Sequence, residues 1–228
     1  MNNILIFPDI HGRTFWKSVN PKDYDLAIFI GDYVDPYPQE NITPEDALDN
    51  LKDLVEFKKS NSNSIFLIGN HDMPYINSEY ASYFSYKDRF SYKYSEEIGK
   101  LINMLNPQLV YKIDKYLFSH AGFNNKFDNH IKHKVEGDIS IRDLARVSFY
   151  RGGRDSFGSN LWSDIKEHFN SDPNKYLSKV IQIFGHTQMK MAVHHANWYC
   201  LDCRQPFELN IETEVIQNAI TKTIPTEI

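Results

Sequence analysis

The sequence predicts an α/β fold, on three observations. Five short apolar runs rich in β-branched and aromatic residues recur at 4–7, 26–30, 65–68, 116–118 and 180–184. Runs of that length and composition are the pattern of strands buried on both faces. A strongly signalled amphipathic helix separates the second run from the third. Each run ends in Asp, Asn or His, and in open α/β sheets ligands bind where the carboxyl ends of the strands release the chain.

The first run, "ILIF", leads into Pro8-Asp9-Ile10-His11-Gly12. The second, "LAIFI", leads into "GDYVDPYP", which sets Asp32 and Asp35 three positions apart and follows them with Pro36 and Pro38. A helix is predicted over 43–59: Thr43 can cap, Pro44 suits the first helical position and Asp46 stands where a capping-box acid would. Ala47, Leu48, Leu51, Leu54 and Val55 fall on one face of it. The third run ends in Gly69-Asn70-His71-Asp72, the fourth in Ser119-His120-Ala121-Gly122 and the fifth in Gly185-His186-Thr187. A second helical region over 78–106 is dense in Tyr and Phe, which suits packing or a substrate wall. From Lys190 onward the chain alternates like antiparallel strands.

With 228 residues the chain suits one α/β domain, or at a stretch two small ones. No repeat, low-complexity segment or linker divides it, so a single domain over 1–228 is expected. A net charge of −5 argues against a surface for polyanions, and no Lys/Arg-rich segment supports a nuclease; no extended nucleic-acid partner is expected. No apolar stretch approaches a membrane span and the N-terminus lacks the pattern of a signal peptide. A cytoplasmic location without membrane attachment is the expectation. Cys200 and Cys203 form a C-x-x-C, but one placed in a strand and without a second pair, which reads as two reduced thiols.

Taken singly, each polar strand end could be an ordinary turn. Five in order are a signature, and their oxygen and imidazole donors suit Mn²⁺, Fe or Zn²⁺ better than a structural zinc. Asp9-x-His11, Gly31-Asp32-x-x-Asp35, Gly69-Asn70-His71-Asp72, His120 and Gly185-His186 resemble the motif series of the calcineurin-like metallophosphoesterases. The resemblance implies a four-layer α/β/β/α sandwich, two mixed β-sheets packed face to face with helices outside. It implies two divalent ions (Mn, Fe, Zn or Ni, with Mn or an Fe/Mn pair preferred). Asp9 and His11 would hold one, Asn70, His120 and His186 the other, and Asp32 would bridge them. A metal-bridging hydroxide would attack phosphorus directly, without a covalent enzyme intermediate. His71 would act above the phosphate as general acid or charge stabiliser, with Asp35 orienting it.

Two stretches, "SHAG" at 119–122 and "LWSD" at 161–164, are similar to segments of the Ser/Thr protein phosphatase branch. Like that branch, the last motif here lacks a second histidine: Gln188 stands in its place. Unlike that branch, Pro36 replaces the arginine that grips substrate phosphate. Arg151 and Arg154, in the Gly-rich stretch 150–164, are the candidates to take over that grip, with Asn70 beside them. His194 and His195 read as paired surface residues, and His130, His133 and His168 also read as surface residues. The expected activity is hydrolysis of a phosphomonoester on a phosphoprotein or small molecule. Its alternatives are a phosphodiesterase or dinucleoside-polyphosphate hydrolase, favoured by Pro36, and a non-catalytic metal-holding scaffold.

Overall fold

Strands β1 (Asn3–Phe7), β2 (Leu26–Phe29) and β3 (Ser64–Phe66) run parallel and side by side, each delivering its carboxyl end to the same edge of the sheet. The computed structural model that shows this describes residues 2–76, 92–124, 160–169 and 179–228. Those residues divide into two compact units, Met1–Gln108 with Arg204–Ile224, and Leu109–Cys203 with Pro225–Ile228.

In the first unit the sheet order is β10-β9-β1-β2-β3, where β9 (Phe207–Asn210) and β10 (Val215–Asn218) add an antiparallel hairpin to β1. Register places Phe7, Phe29 and Phe66 side by side, and their rings stack with centroids 4.5 Å apart at each step. Helix α1 (Pro44–Ser60) covers that face with Leu48, Leu51, Leu54 and Val55. Its start is fixed by the expected capping box: Thr43 Oγ1 accepts the Asp46 N–H at 3.1 Å, and Asp46 Oδ2 accepts the Thr43 N–H at 3.1 Å. A one-turn helix α2 (Met73–Ile76) follows β3, and α3 (Ser95–Leu105) contributes Ile98, Ile102 and Leu105 to the same core.

The third strand is shorter than the apolar run at 65–68 suggests. Leu67 still donates its N–H to Phe29 O of β2 at 2.8 Å, while the opposite edge pairs with Gln108, whose N–H bonds Phe66 O and whose carbonyl accepts from Ile68, both at 2.9 Å. The helical region expected over 78–106 is seen from 95 to 105 as α3; residues 77–91 lie outside the described residues.

The second unit carries a mixed sheet of order β11-β7-β8-β6-β5-β4. Its members are β4 (Val110–Ile113), β5 (Tyr116–Ser119), β6 (Ile181–Phe184), β7 (Val193–His195), β8 (Trp198–Cys200) and β11 (Thr226–Glu227). Strands β5, β6 and β8 are mutually parallel in sequence of pairing, so β5 and β6 again present their carboxyl ends together. Helix α4 (Ile165–Phe169) places Ile165 against Phe184, Val193, Trp198 and Cys200. The architecture is α/β, two mixed sheets with flanking helices. Cys200 and Cys203 are both buried free thiols, and burial beside Asp202 pushes the Cys203 thiol up to about 11, which leaves it unreactive.

Candidate active site

In the first unit the loops leaving β1 and β2 are joined backbone to backbone: the Gly12 N–H donates to Tyr33 O at 2.9 Å, and the Ile10 N–H to Gly31 O at 3.3 Å. Both loops need left-handed residues. His11 (φ 45°), Asp32 (φ 52°) and Asp35 (φ 61°) are all in that region. Each such non-glycine residue costs about 1–3 kcal/mol, strain that persists where surrounding structure over-determines it and that gathers at functional sites. The third loop closes on the second through Gly69, where a Cβ would stand 2.0 Å from Asp32 Oδ1.

Asp9, His11 and Asp32 come together here, fully buried, with one ligand atom from each lying within 4.8 Å of the others. Nδ1 of His11 donates to the carbonyls of Val34 (3.1 Å) and Asp35 (2.9 Å), which fixes the tautomer. Nε2 therefore carries the lone pair and faces Asp32 Oδ2 at 3.4 Å. Burial, only partly opposed by the Asp32 carboxylate, lowers the His11 pKa to about 3, so the ring is neutral at neutral pH. A neutral imidazole whose other nitrogen is tied to carbonyls, beside two buried carboxylates, is a donor set that fits a divalent cation.

His71 sits over this cluster, its ring centroid 5.1 Å from that of His11. Its backbone N–H donates to Asp32 Oδ1 at 2.9 Å, and its Nδ1 lies 3.5 Å from Asp35 Oδ2. Burial works to lower its pKa, but Asp32, Asp35 and Asp72 together outweigh that and raise it to about 9. Asn70 precedes it and is buried.

The second unit brings His120 and His186 together. His120 follows β5 and is fully buried; His186 follows β6 with φ 65°. The Gly185 N–H donates to His120 O at 2.8 Å, and Nε2 of His120 lies 3.2 Å from Nδ1 of His186. Two imidazole nitrogens directed at one another in this way can share a proton or a cation. The "LWSD" stretch stands beside them: the Trp162 ring meets His186 edge-on at 5.9 Å, and Asp164 Oδ1 is 3.8 Å from His186 Nε2. Gln188 is exposed.

Arg151 and Arg154, along with His130 and His133, lie outside the described residues. His168 corrects the reading of it as a surface residue. It is buried, stacked on Phe184 at 4.6 Å, with Nε2 hydrogen-bonded to Ala121 O at 3.0 Å. His194 and His195 are half-buried in β7; His194 stacks on Tyr199, and His195 Nδ1 is hydrogen-bonded to Ile228 O.

The roles of three contributors escaped the sequence reading, although Asp72 stands within its third motif. Asp72 is buried and accepts backbone N–H groups from Asp32, Tyr33 and Gly69. Tyr75 donates its hydroxyl to Asp35 Oδ1 at 2.6 Å. Arg13, two residues past His11, donates from Nη1 to Asp9 O at 3.1 Å and from Nε to Glu40 at 3.0 Å, and Arg204 reaches the same Glu40 carboxylate at 3.0 Å. Nothing local marks these roles, because the partners lie 27 or more positions away, Gly69 and Asp9 apart.

Residues 3–208 match a family model described as calcineurin-like phosphoesterase. No curated protein matches the sequence. Among solved structures, the chain is similar to a cold-active protein-tyrosine phosphatase of a psychrophilic Shewanella species, at 14% identity and a TM-score of 0.58, covering 92% of this chain and 76% of that one. A Saccharomyces cerevisiae protein serine/threonine phosphatase with similarity to human phosphatase PP5 aligns at 15% identity and a TM-score of 0.53, covering 92% and 73%. The hypothetical protein PH1004 from Pyrococcus horikoshii OT3 aligns at 11% identity and a TM-score of 0.51, covering 100% and 88%. At these identities the likeness is one of fold.

Proposed function

This chain belongs to the calcineurin-like phosphoesterases, and from that membership we propose that it hydrolyses phosphomonoesters, on a phosphoprotein or a small molecule, at a two-metal site. It is a metal-dependent hydrolase of phosphate esters; the choice of monoester is the proposal. The observation that carries it is the buried Asp9–His11–Asp32 cluster with the His71–Asp35 pair directly above it.

On this reading Asp9 and His11 would hold one ion and Asn70, His120 and His186 would hold the other, with Asp32, whose carboxylate offers two oxygens, as the ligand they would share. Divalent ions bound there supply charge stabilisation of the phosphoryl oxygens and an activated water. The chain's own contribution is orientation and proton supply. The carbonyls of Val34 and Asp35 keep the His11 lone pair aimed at the cluster. As the P–O bond to the leaving group breaks, His71 gives its proton to the departing oxygen, and phosphate and a neutral alcohol leave. Without bound cations, Asp32, Asp35 and Asp72 favour the protonated ring. Cations held by the same carboxylates would draw its pKa downward. Manganese or an iron–manganese pair is the preferred occupant, on a donor set of oxygen and imidazole.

Pro36 favours a second reading, cleavage of a phosphodiester or dinucleoside polyphosphate, because the loop offers no arginine directly after Asp35. The test is hydrolysis of p-nitrophenyl phosphate beside bis-p-nitrophenyl phosphate with Mn²⁺, and Asp32→Asn as the blank. Faster monoester cleavage supports the first reading, with Arg151 or Arg154 as the grip to examine next. Faster diester cleavage establishes the second. If a metal-loaded protein cleaves neither ester, an enzyme selective for another phosphate ester or a non-catalytic scaffold takes their place.

A further inference from the structure

Tyr75 lies four residues past His71 in α2, and its side chain is buried. Its hydroxyl bonds one oxygen of Asp35 at 2.6 Å, while the other oxygen of the same carboxylate faces His71 Nδ1 at 3.5 Å. A carboxylate turns easily about its terminal torsion, which is broad and roughly two-fold. A short bond on Oδ1 fixes that torsion, and so fixes the direction of Oδ2. The tyrosine is itself held firmly from α3. Gly99 approaches so closely that a Cβ there would stand 2.3 Å from the Tyr75 carbonyl oxygen.

We propose that Tyr75 is a positioning residue for the hydrolysis: it locks the Asp35 carboxylate with Oδ2 on His71 and so keeps the His71 ring aimed at the leaving oxygen. The inference rests on the reading of His71 as proton donor. A tyrosine present only for packing would affect stability; one that positions the donor affects the reaction according to how much the leaving group needs a proton.

The experiment compares wild type, Tyr75→Phe, Asp35→Asn, His71→Asn and the double variant Y75F/D35N. Each is assayed on the ester class that the protein cleaves faster, with p-nitrophenyl and with phenyl leaving groups, alongside metal content and melting temperature. Phenolate is the more basic leaving group and depends more on protonation. Y75F should keep its metal and its KM, and lose about 10-fold in kcat on the phenyl ester, the scale of an outer hydrogen-bonding partner. On the p-nitrophenyl ester it should lose no more than about 2-fold, since that leaving group scarcely needs an acid. In the D35N background the tyrosine change should add nothing. Equal losses on both esters, an effect that adds to D35N, or a fall in metal content would each overturn the role of Tyr75. If H71N discriminates between the esters and Y75F does not, Tyr75 alone is excluded. If H71N itself does not discriminate, the proton-donor reading falls and this inference falls with it.

Discussion

Asp72 Oδ2 accepts the backbone N–H of Asp32 at 2.8 Å and so ties the loop after β3 to the loop after β2. Its two oxygens also take the N–H groups of Tyr33 at 2.9 Å and Gly69 at 2.8 Å. The carboxylate is fully buried, and these donors stand in for the water it has lost. Asp72→Ala should therefore lower unfolding stability by about 3 kcal/mol or more, the scale for several bonds to a charged acceptor. Metal binding should weaken with it, since Asp32 loses its anchor. Denaturant titration and metal analysis of the purified variant check both, and a folded, fully metallated D72A would show that the tie is dispensable.

Gly69 is a sharper test of the same junction. A Cβ at 69 would overlap Asp32 Oδ1 at 2.0 Å and the Asp32 nitrogen at 2.5 Å. Gly69→Ala is expected to displace Asp32 and abolish activity, while the distant hairpin β9–β10 stays intact. Activity within about 2-fold of wild type would mean that the loop relaxes at little cost.

Removal of metal should separate the ligands from the proton donor. Asp32→Asn is expected to lose metal and turnover together. His186→Asn should bind about one ion in place of the two that a paired site holds. His71→Asn should retain its metal and, on an ester with a basic leaving group such as phenolate, slow turnover by about 10²–10⁴, the range of general acid catalysis. Elemental analysis after dialysis against chelator, followed by reconstitution with Mn²⁺, distinguishes the three. Loss of metal in H71N would count against its placement outside the ligand set.

His168 predicts a pH dependence of stability. Burial lowers its pKa to about 4, with the Ala121 hydrogen bond and the Glu167 and Asp164 charges only partly opposing it. The ordinary value, about 6.5, applies once the chain unfolds. The fold thus favours the neutral ring. Its contribution is complete above about pH 6.5, declines as pH falls toward 4, and is constant below that, about 3 kcal/mol in total. The difference in unfolding free energy between pH 7 and pH 4.5 should shrink in His168→Gln, which removes the titrating group. An unchanged difference would assign the acid sensitivity to other groups.

How much of this was legible in the sequence depended on the range of each interaction. The capping box at Thr43 and Asp46 is local, and the helix starts where those two residues say it does. The strand ends were legible too, because a buried run that stops at Asp9, Asp32 or His120 announces itself by composition. The tie from Asp72 to Asp32 was not, since it spans 40 positions and depends on which way one side chain turns. The bond from Tyr75 to Asp35 spans 40 positions in the same way. His168 was misread because the five-residue helix α4 is too short for an amphipathic pattern to show which face is buried.

The left-handed backbone at His11, Asp32 and Asp35 also governs how the site would respond to random mutagenesis. Gly accepts that conformation readily, and among residues with a side chain Asn, Asp and His accept it best. Most replacements at these three positions meet a steric filter before any chemical one. A saturation library would lose them chiefly from the soluble fraction, and the folded, inactive survivors would be enriched in asparagine and glycine.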